Sequence, residues 1–114
     1  MLPATAPIDS VFRALSDPTR RQVMERLSRS PASVTELAEP FDMSLSAVAQ
    51  HIRLLQASGL IASEKIGRVR TCRIEPKALR TVEQWITERR TLWERRFDRL
   101  GDFLAEQAGT TKEK

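Results

Sequence analysis

At 114 residues and 13.0 kDa the chain has the length of one domain, with room for a modest core but not for a two-domain nucleotide-binding enzyme. Its formal net charge of +4 and pI near 10.0 favour a polyanionic partner. A single cysteine, Cys72, and a single histidine, His51, exclude an intramolecular disulfide and a thiolate metal cage, and apolar runs of only a few residues cannot span a bilayer.

Residues 1–7 contain two prolines and no basic stretch ahead of an apolar one, so they read as a flexible N-terminus and not as a signal peptide. The expectation is a soluble cytoplasmic protein. Ile8, Val11, Phe12 and Leu15 recur at helical spacing and predict a short amphipathic first helix. Asp17-Pro18 reads as a cap followed by a proline at the first helical position, opening a second helix that runs to about Arg29 with Val23, Met24 and Leu27 facing inward.

Ser33-Val-Thr-Glu36 matches a capping box, with Thr35 as a competing cap, and Pro40 stops this third helix early. After a tight connection, Ser44 caps a fourth helix ending near Ser58, in which Val48, Ile52 and Leu55 form the core stripe and Gly59 the stop. Two short helices so joined make a helix-turn-helix. Residues 60–66 and 69–74 read as strands around Gly67-Arg68, a two-residue type II′ hairpin that sets Ile66 opposite Val69, Lys65 opposite Arg70, Ser63 opposite Cys72 and Ile61 opposite Ile74.

Pro76 opens a long C-terminal helical region, one helix or two broken near 87–91. Its stripe is Leu79, Val82, Ile86, Trp93, Phe97, Leu100 and Leu104, widened by Trp85, Leu92 and Phe103, before a disordered tail at 109–114. The domain proper is expected at 8–108, mainly α with a small β-hairpin, in the order ααααββα.

Charge is unevenly spread. Residues 1–43 hold five arginines and six acids, whereas residues 44–75 set Arg53, Lys65, Arg68, Arg70 and Arg73 against only Glu64 and Glu75. A helix-turn-helix followed by a basic hairpin is the winged-helix arrangement, whose second helix enters the major groove of duplex DNA. Removing the core stripe leaves Ser44, Leu45, Ser46, Ala49, Gln50 and Arg53 as the candidate DNA-facing set, with Thr35 at the preceding helix start. Gln50 suits a bidentate contact to adenine, Ser46 a base or phosphate, Leu45 or Ala49 a thymine methyl, and Arg53 a phosphate.

In the hairpin, Lys65 faces Arg70 beside Arg68, a like-charge pair that costs stability and that phosphate oxygens relieve. The plainer alternatives are a solvated helix face and an edge strand guarded by lysine and arginine. Arg73 lies on the other face, where Glu64 can partly neutralise it.

His51 reads as a helix-surface or half-buried histidine packing against a neighbouring element, with base or phosphate contact as the alternative, and Cys72 as a small strand residue, with a redox switch as the alternative requiring a depressed pKa. Phe12, Trp85, Trp93, Phe97 and Leu100 are assigned to a dimer seam in preference to an effector pocket. Arg89-Arg90 and Arg95-Arg96 alternate with Glu88 and Glu94 as solvated or paired charges. Four scattered glycines build no phosphate-cradling loop and His51 has no triad partners that the sequence indicates, so neither enzyme activity nor a cofactor is expected.

Asp17-Pro-Thr-Arg-Arg21, Val34-Thr-Glu-Leu-Ala38, Met43-Ser-Leu-Ser-Ala-Val-Ala-Gln-His-Ile-Arg-Leu-Leu55 and Gly59-Leu-Ile61 together resemble the ArsR-type winged-helix repressors. The resemblance is close over residues 8–75 and looser beyond. It implies a homodimer built from the first and last helices that binds an inverted-repeat operator and represses transcription. Family members often carry Gln, Ser, Ser and His where this chain has Leu45, Ser46, Ala49 and Gln50, so their operator sequences do not transfer.

Metal-sensing members place Cys-x-Cys in the third helix and acid and histidine ligands in the last. Here the former stretch is Glu36-Leu-Ala-Glu-Pro40 and the latter has no histidine, so the chain resembles the metal-free branch, whose members often regulate their own operon. No small-molecule effector is identified. The rival reading is a winged-helix module that contacts a protein.

Overall fold

The computed structural model describes residues 6–112: α1 (Ala6–Leu15), α2 (Pro18–Leu27), β1 (Ala32–Ser33), α3 (Val34–Ala38), α4 (Leu45–Ala57), β2 (Ile61–Ile66), β3 (Val69–Ile74) and α5 (Pro76–Lys112). The expectations for residues 1–5 and 113–114 lie outside the described residues. The chain forms two compact units, one ending at Val82 and one beginning at Glu83, and α5 contributes its first turns to the former.

In the first unit each helix carries one apolar face into a single core. Val11 and Ala14 come from α1, Val23, Met24 and Leu27 from α2, Leu37 from α3, and Val48, Ile52 and Leu55 from α4, all buried. Leu60, Ile61 and Cys72 close it from the sheet and Val82 from α5. Phe12 departs from the expected stripe of α1, being 41% exposed. Leu55, fully buried in the last turn of α4, is expected on truncation to alanine to cost about 2–5 kcal/mol in a denaturant titration, the range for a leucine cavity that cannot collapse.

Local chemistry sets the element ends. Ser33 Oγ accepts from the Glu36 amide at 3.1 Å while the Glu36 carboxylate accepts from the Ser33 amide at 2.8 Å, so the capping box forms and Thr35 is not the cap. Helix α4 stops in a Schellman motif: Leu60 N donates to Leu55 O at 3.1 Å and Gly59 N to Gln56 O at 3.0 Å, with Gly59 at φ +83°. That turn delivers Leu60 to the core and β2 directly to the wing.

The joint between α1 and α2 is a reciprocal cap. Asp17 accepts from the Arg20 amide at 3.0 Å, satisfying the start of α2. The Arg20 guanidinium reaches back to Ala14 O at 2.7 Å and Arg13 O at 3.2 Å, and Arg21 to Leu15 O at 2.8 Å, covering the last carbonyls of α1. The backbone N–H of Arg20 above all, with the Arg20 charge, holds the Asp17 carboxyl below its ordinary 3.8.

Asp17→Ala is expected to lower stability by about 0.5–2 kcal/mol at neutral pH, the usual worth of such a cap. Because the folded carboxyl titrates lower than the unfolded one, its contribution is complete above pH 3.8 and disappears as pH falls through the folded value. Thermal denaturation of wild type and variant should therefore converge at acid pH; a gap that persists there would assign the loss to something other than the carboxylate.

The hairpin keeps the expected register, Ile66 with Val69, Lys65 with Arg70, Ser63 with Cys72 and Ile61 with Ile74. Gly67 has φ +65° and no other wing residue has a positive φ, as a type II′ turn requires. The sheet departs from the expected two strands: β1 adds to the far side of β3, Ala32 opposite Cys72 and Ser33 opposite Thr71, giving the order β1-β3-β2. The second correction concerns Arg73, whose partner is Glu75 at 3.7 Å and not Glu64, which lies opposite Thr71.

The second unit is helical. Helix α5 is one helix without a break at 87–91, and it continues through Gly109 to Lys112, where a tail had been expected from 109; α1 likewise starts at Ala6, ahead of Ile8. Ion pairs Glu88–Arg89 at 3.2 Å and Arg90–Glu94 at 4.0 Å lie along it, and the Arg89 guanidinium sits 4.5 Å over the Trp85 ring. Its apolar stripe is open: Ile86, Leu92, Trp93, Phe97, Leu100, Phe103 and Leu104 are all exposed, Phe97 to 71%.

Candidate nucleic-acid interface

Helix α4 divides cleanly. Val48, Ile52 and Leu55 are buried, and Leu45, Ser46, Gln50 and Arg53 are exposed, so the residues left over from the core stripe do share the outer side. Leu45, at 54% exposure on the first turn, is an apolar side chain presented to solvent at the helix start. Ser44 is exposed and its Oγ accepts from the Ala47 amide at 3.1 Å, so it caps the helix whatever else it touches. Ala49 is the exception to the outward set: it is half-buried and faces the wing. Thr35 lies exposed in the first turn of α3.

The wing carries its cations on an open hairpin. Lys65, Arg68 and Arg70 are exposed, with Lys65 directly across from Arg70 and Arg68 in the turn. Among the described residues, Gln50, Arg53, Lys65 and Arg68 have no hydrogen-bond or ion-pair partner in the chain, so their donors are available to a ligand. Arg53 and Arg70 line one cleft of about 350 Å³ between α4 and the wing, whose apolar floor is Val34, Ala49 and Ile52. Two guanidinium groups over a low-dielectric floor favour an anion.

Sequence reasoning missed two residues here. Arg70 Nη1 donates to Ser63 Oγ at 2.8 Å, and Ser63 Oγ donates to Gln56 Oε1 at 3.1 Å, tying the wing to the last turn of α4. No periodicity announces this, because the chain reverses at Gly59 between Gln56 and Ser63.

The two residues with alternative readings are occupied internally. His51 is half-buried, as the packing reading expects, with Arg20 Nη1 at 3.1 Å from Nδ1 and Asp17 Oδ2 at 3.9 Å. Arginine only donates, so Nδ1 accepts and the ring proton sits on Nε2. Cys72 is fully buried, and burial pushes its thiol up against the opposing charge of Arg70, the reverse of what a reactive thiolate needs. Among the described residues no three His, Cys, Asp or Glu side chains gather as a metal site, and no helix is long and apolar enough to cross a membrane.

A helix-turn-helix with its second helix open and a cationic hairpin beside it defines the chain as a winged helix-turn-helix protein. A model of the helix-turn-helix domain family matches residues 15–64. The chain is 35% identical over 98 residues to the HTH-type transcriptional regulator Rv2034 of Mycobacterium tuberculosis, across 82% of this chain and 92% of that protein. It is also similar to a solved ArsR family transcriptional regulator, 52% identical with a TM-score of 0.76 over 78% of this chain and 98% of that one. An ArsR-like transcriptional regulator from a Rhodococcus species is 31% identical, with a TM-score of 0.78 over 93% and 97%. The chain belongs to the ArsR family of transcriptional regulators and is not an enzyme.

Proposed function

We propose that the chain is a homodimeric repressor that binds an inverted-repeat operator in double-stranded DNA, with α4 in the major groove and the wing on the phosphate backbone. The observation that carries this is the unpartnered outer side of α4, Leu45, Ser46, Gln50 and Arg53, beside the cations Lys65, Arg68 and Arg70. Gln50 reads adenine through its amide, Ser46 bonds a base or phosphate, and Leu45 touches a thymine methyl. Ser44 and Thr35 offer hydroxyls to the backbone, and Ala49 lets the groove approach closely. Repression follows from occupancy: a dimer seated on a promoter denies it to the polymerase.

Assembly uses the open stripe of α5. Leu79, Ile86, Trp93 and Leu100 recur every seventh residue, the interval at which two helices keep a seam in register, and Phe97 lies beside it. Phe12, exposed on the first unit, is assigned to the same assembly, and Trp85 flanks the stripe under Arg89. The reading is of a regulator without a metal sensor and acting in the cytoplasm, where its operator lies. In support, the lone thiol is buried with its pKa raised and the lone imidazole already accepts from Arg20.

Selection from a random DNA pool, followed by titration at several salt concentrations, tests this. The expected result is an enriched inverted repeat whose log affinity falls steeply with log salt, because each neutralised phosphate releases counterions. Arg68→Ala with Arg70→Ala should weaken binding to every DNA and flatten that slope by about two phosphate contacts without unfolding the protein. No enriched repeat and no slope would contradict the proposal and favour a winged-helix module that contacts a protein.

A further inference from the structure

We infer that the cleft between α4 and the wing is a single seat for one backbone phosphate of duplex DNA, gripped by Arg53 and Arg70, and that Gln56 and Ser63 are positioning residues that hold Arg70 there. The inference rests on the proposed DNA-binding function and assigns it two residues that base or phosphate chemistry alone would not single out.

Register places Arg70 opposite Lys65, where repulsion drives its guanidinium away from the hairpin tip. It instead turns back along the sheet and donates to Ser63 Oγ at 2.8 Å. Ser63 has one proton, and having accepted from arginine it gives that proton to Gln56 Oε1 at 3.1 Å, at the end of the recognition helix. The relay therefore has one direction, from the wing cation to a helix amide.

The anchors are neutral. A carboxylate in either place would hold Arg70 equally well and cancel its charge; a hydroxyl and an amide hold it and leave the full positive charge for a ligand. The nearby acids are otherwise placed, Glu75 with Arg73 and Glu64 opposite Thr71. Arg53 has no partner within the described chain and lines the same cleft of about 350 Å³, over a floor of Val34, Ala49 and Ile52 that supplies no competing charge. Arginine forks match phosphate geometry. A phosphate seated between helix and wing fixes both on one strand, so the relay sets how far α4 sits in the groove.

A double-mutant cycle on the selected operator tests the assignment. Ser63→Ala and Gln56→Ala should each lower affinity roughly three- to tenfold, the worth of one lost hydrogen bond, by the same factor on operator and on random duplex. Ser63→Thr, which keeps the hydroxyl on a strand, should restore wild-type binding. Added to Arg70→Ala, Ser63→Ala should cost nothing more, a cancellation that general damage to the fold would not produce.

Wild-type affinity in Ser63→Ala, or losses at Ser63 and Arg70 that simply add, would overturn the inference while leaving a salt-dependent wild type and its proposed function intact. Displacement of DNA by millimolar inorganic phosphate at constant ionic strength, from the wild type but not from Arg70→Ala, would give the cleft to a free anion and overturn it as well. A wild type with no salt dependence would remove the function itself.

Discussion

Replacing Trp93 and Phe97 together by alanine is expected to turn a dimer into a monomer in sedimentation, and to lower operator affinity about 10²–10⁴-fold at dilute protein, the loss when two linked half-sites become two separate events. The size follows from what the two side chains present. Trp93 is 49% exposed and Phe97 71% exposed on a stripe that also leaves Leu100, Phe103 and Leu104 open, more contiguous apolar surface than a solitary soluble helix carries without a use. Large aromatics at the centre of such a patch dominate association. Both residues lie beyond Val82, outside the unit that holds the core, so the variant should still fold. A dimer unchanged in the variant would place the seam elsewhere.

Gln50→Ala is expected to cost on the order of 1–3 kcal/mol at the selected operator and to relax the choice of base at one position in each half-site. Gln50 is exposed on the second turn of α4, one turn from Ser46 and on the side opposite Ile52 and Leu55, where an amide meets base edges when the helix start points into the groove. Binding measured on operators varied one base pair at a time separates this from a backbone contact. An equal loss on every sequence would make Gln50 a phosphate ligand and return base reading to Ser46 and Leu45.

Much of the fold was legible because each part carried its own signal. Gly67-Arg68 admits a two-residue turn, and once the turn is fixed every cross-strand pair follows, Lys65 with Arg70 included. Ser33 with Glu36, Asp17 with Pro18, and Gly59 are end markers with a mechanism, and each does at the atomic level what its residue type suggests. Strand β1 was not legible: two residues between Pro31 and a capping box show no alternation, and only the edge of β3 makes them a strand.

Arg73 illustrates a finer limit. Glu64 and Glu75 are both within reach of it on pattern alone, and strand geometry, not spacing, selects Glu75. The stripe of α5 was visible as periodicity, but periodicity marks an apolar side without saying what covers it; of its members only Val82 reaches the chain's own core. At the candidate interface, the exposure of the outer side of α4 and of the wing cations was readable one residue at a time. The bridge Arg70–Ser63–Gln56 was not, since it joins side chains that a chain reversal brings together.

The most direct test is dimethyl sulfate footprinting of the selected operator, because the reagent marks guanine N7 in the major groove and adenine N3 in the minor. Two recognition helices related by a twofold axis predict protected guanine N7 positions, wherever α4 covers the major groove, in both half-sites, centred about one or a small whole number of helical turns apart. Protection confined to adenine N3, or none at a site the protein demonstrably fills, would contradict insertion of α4 into the major groove.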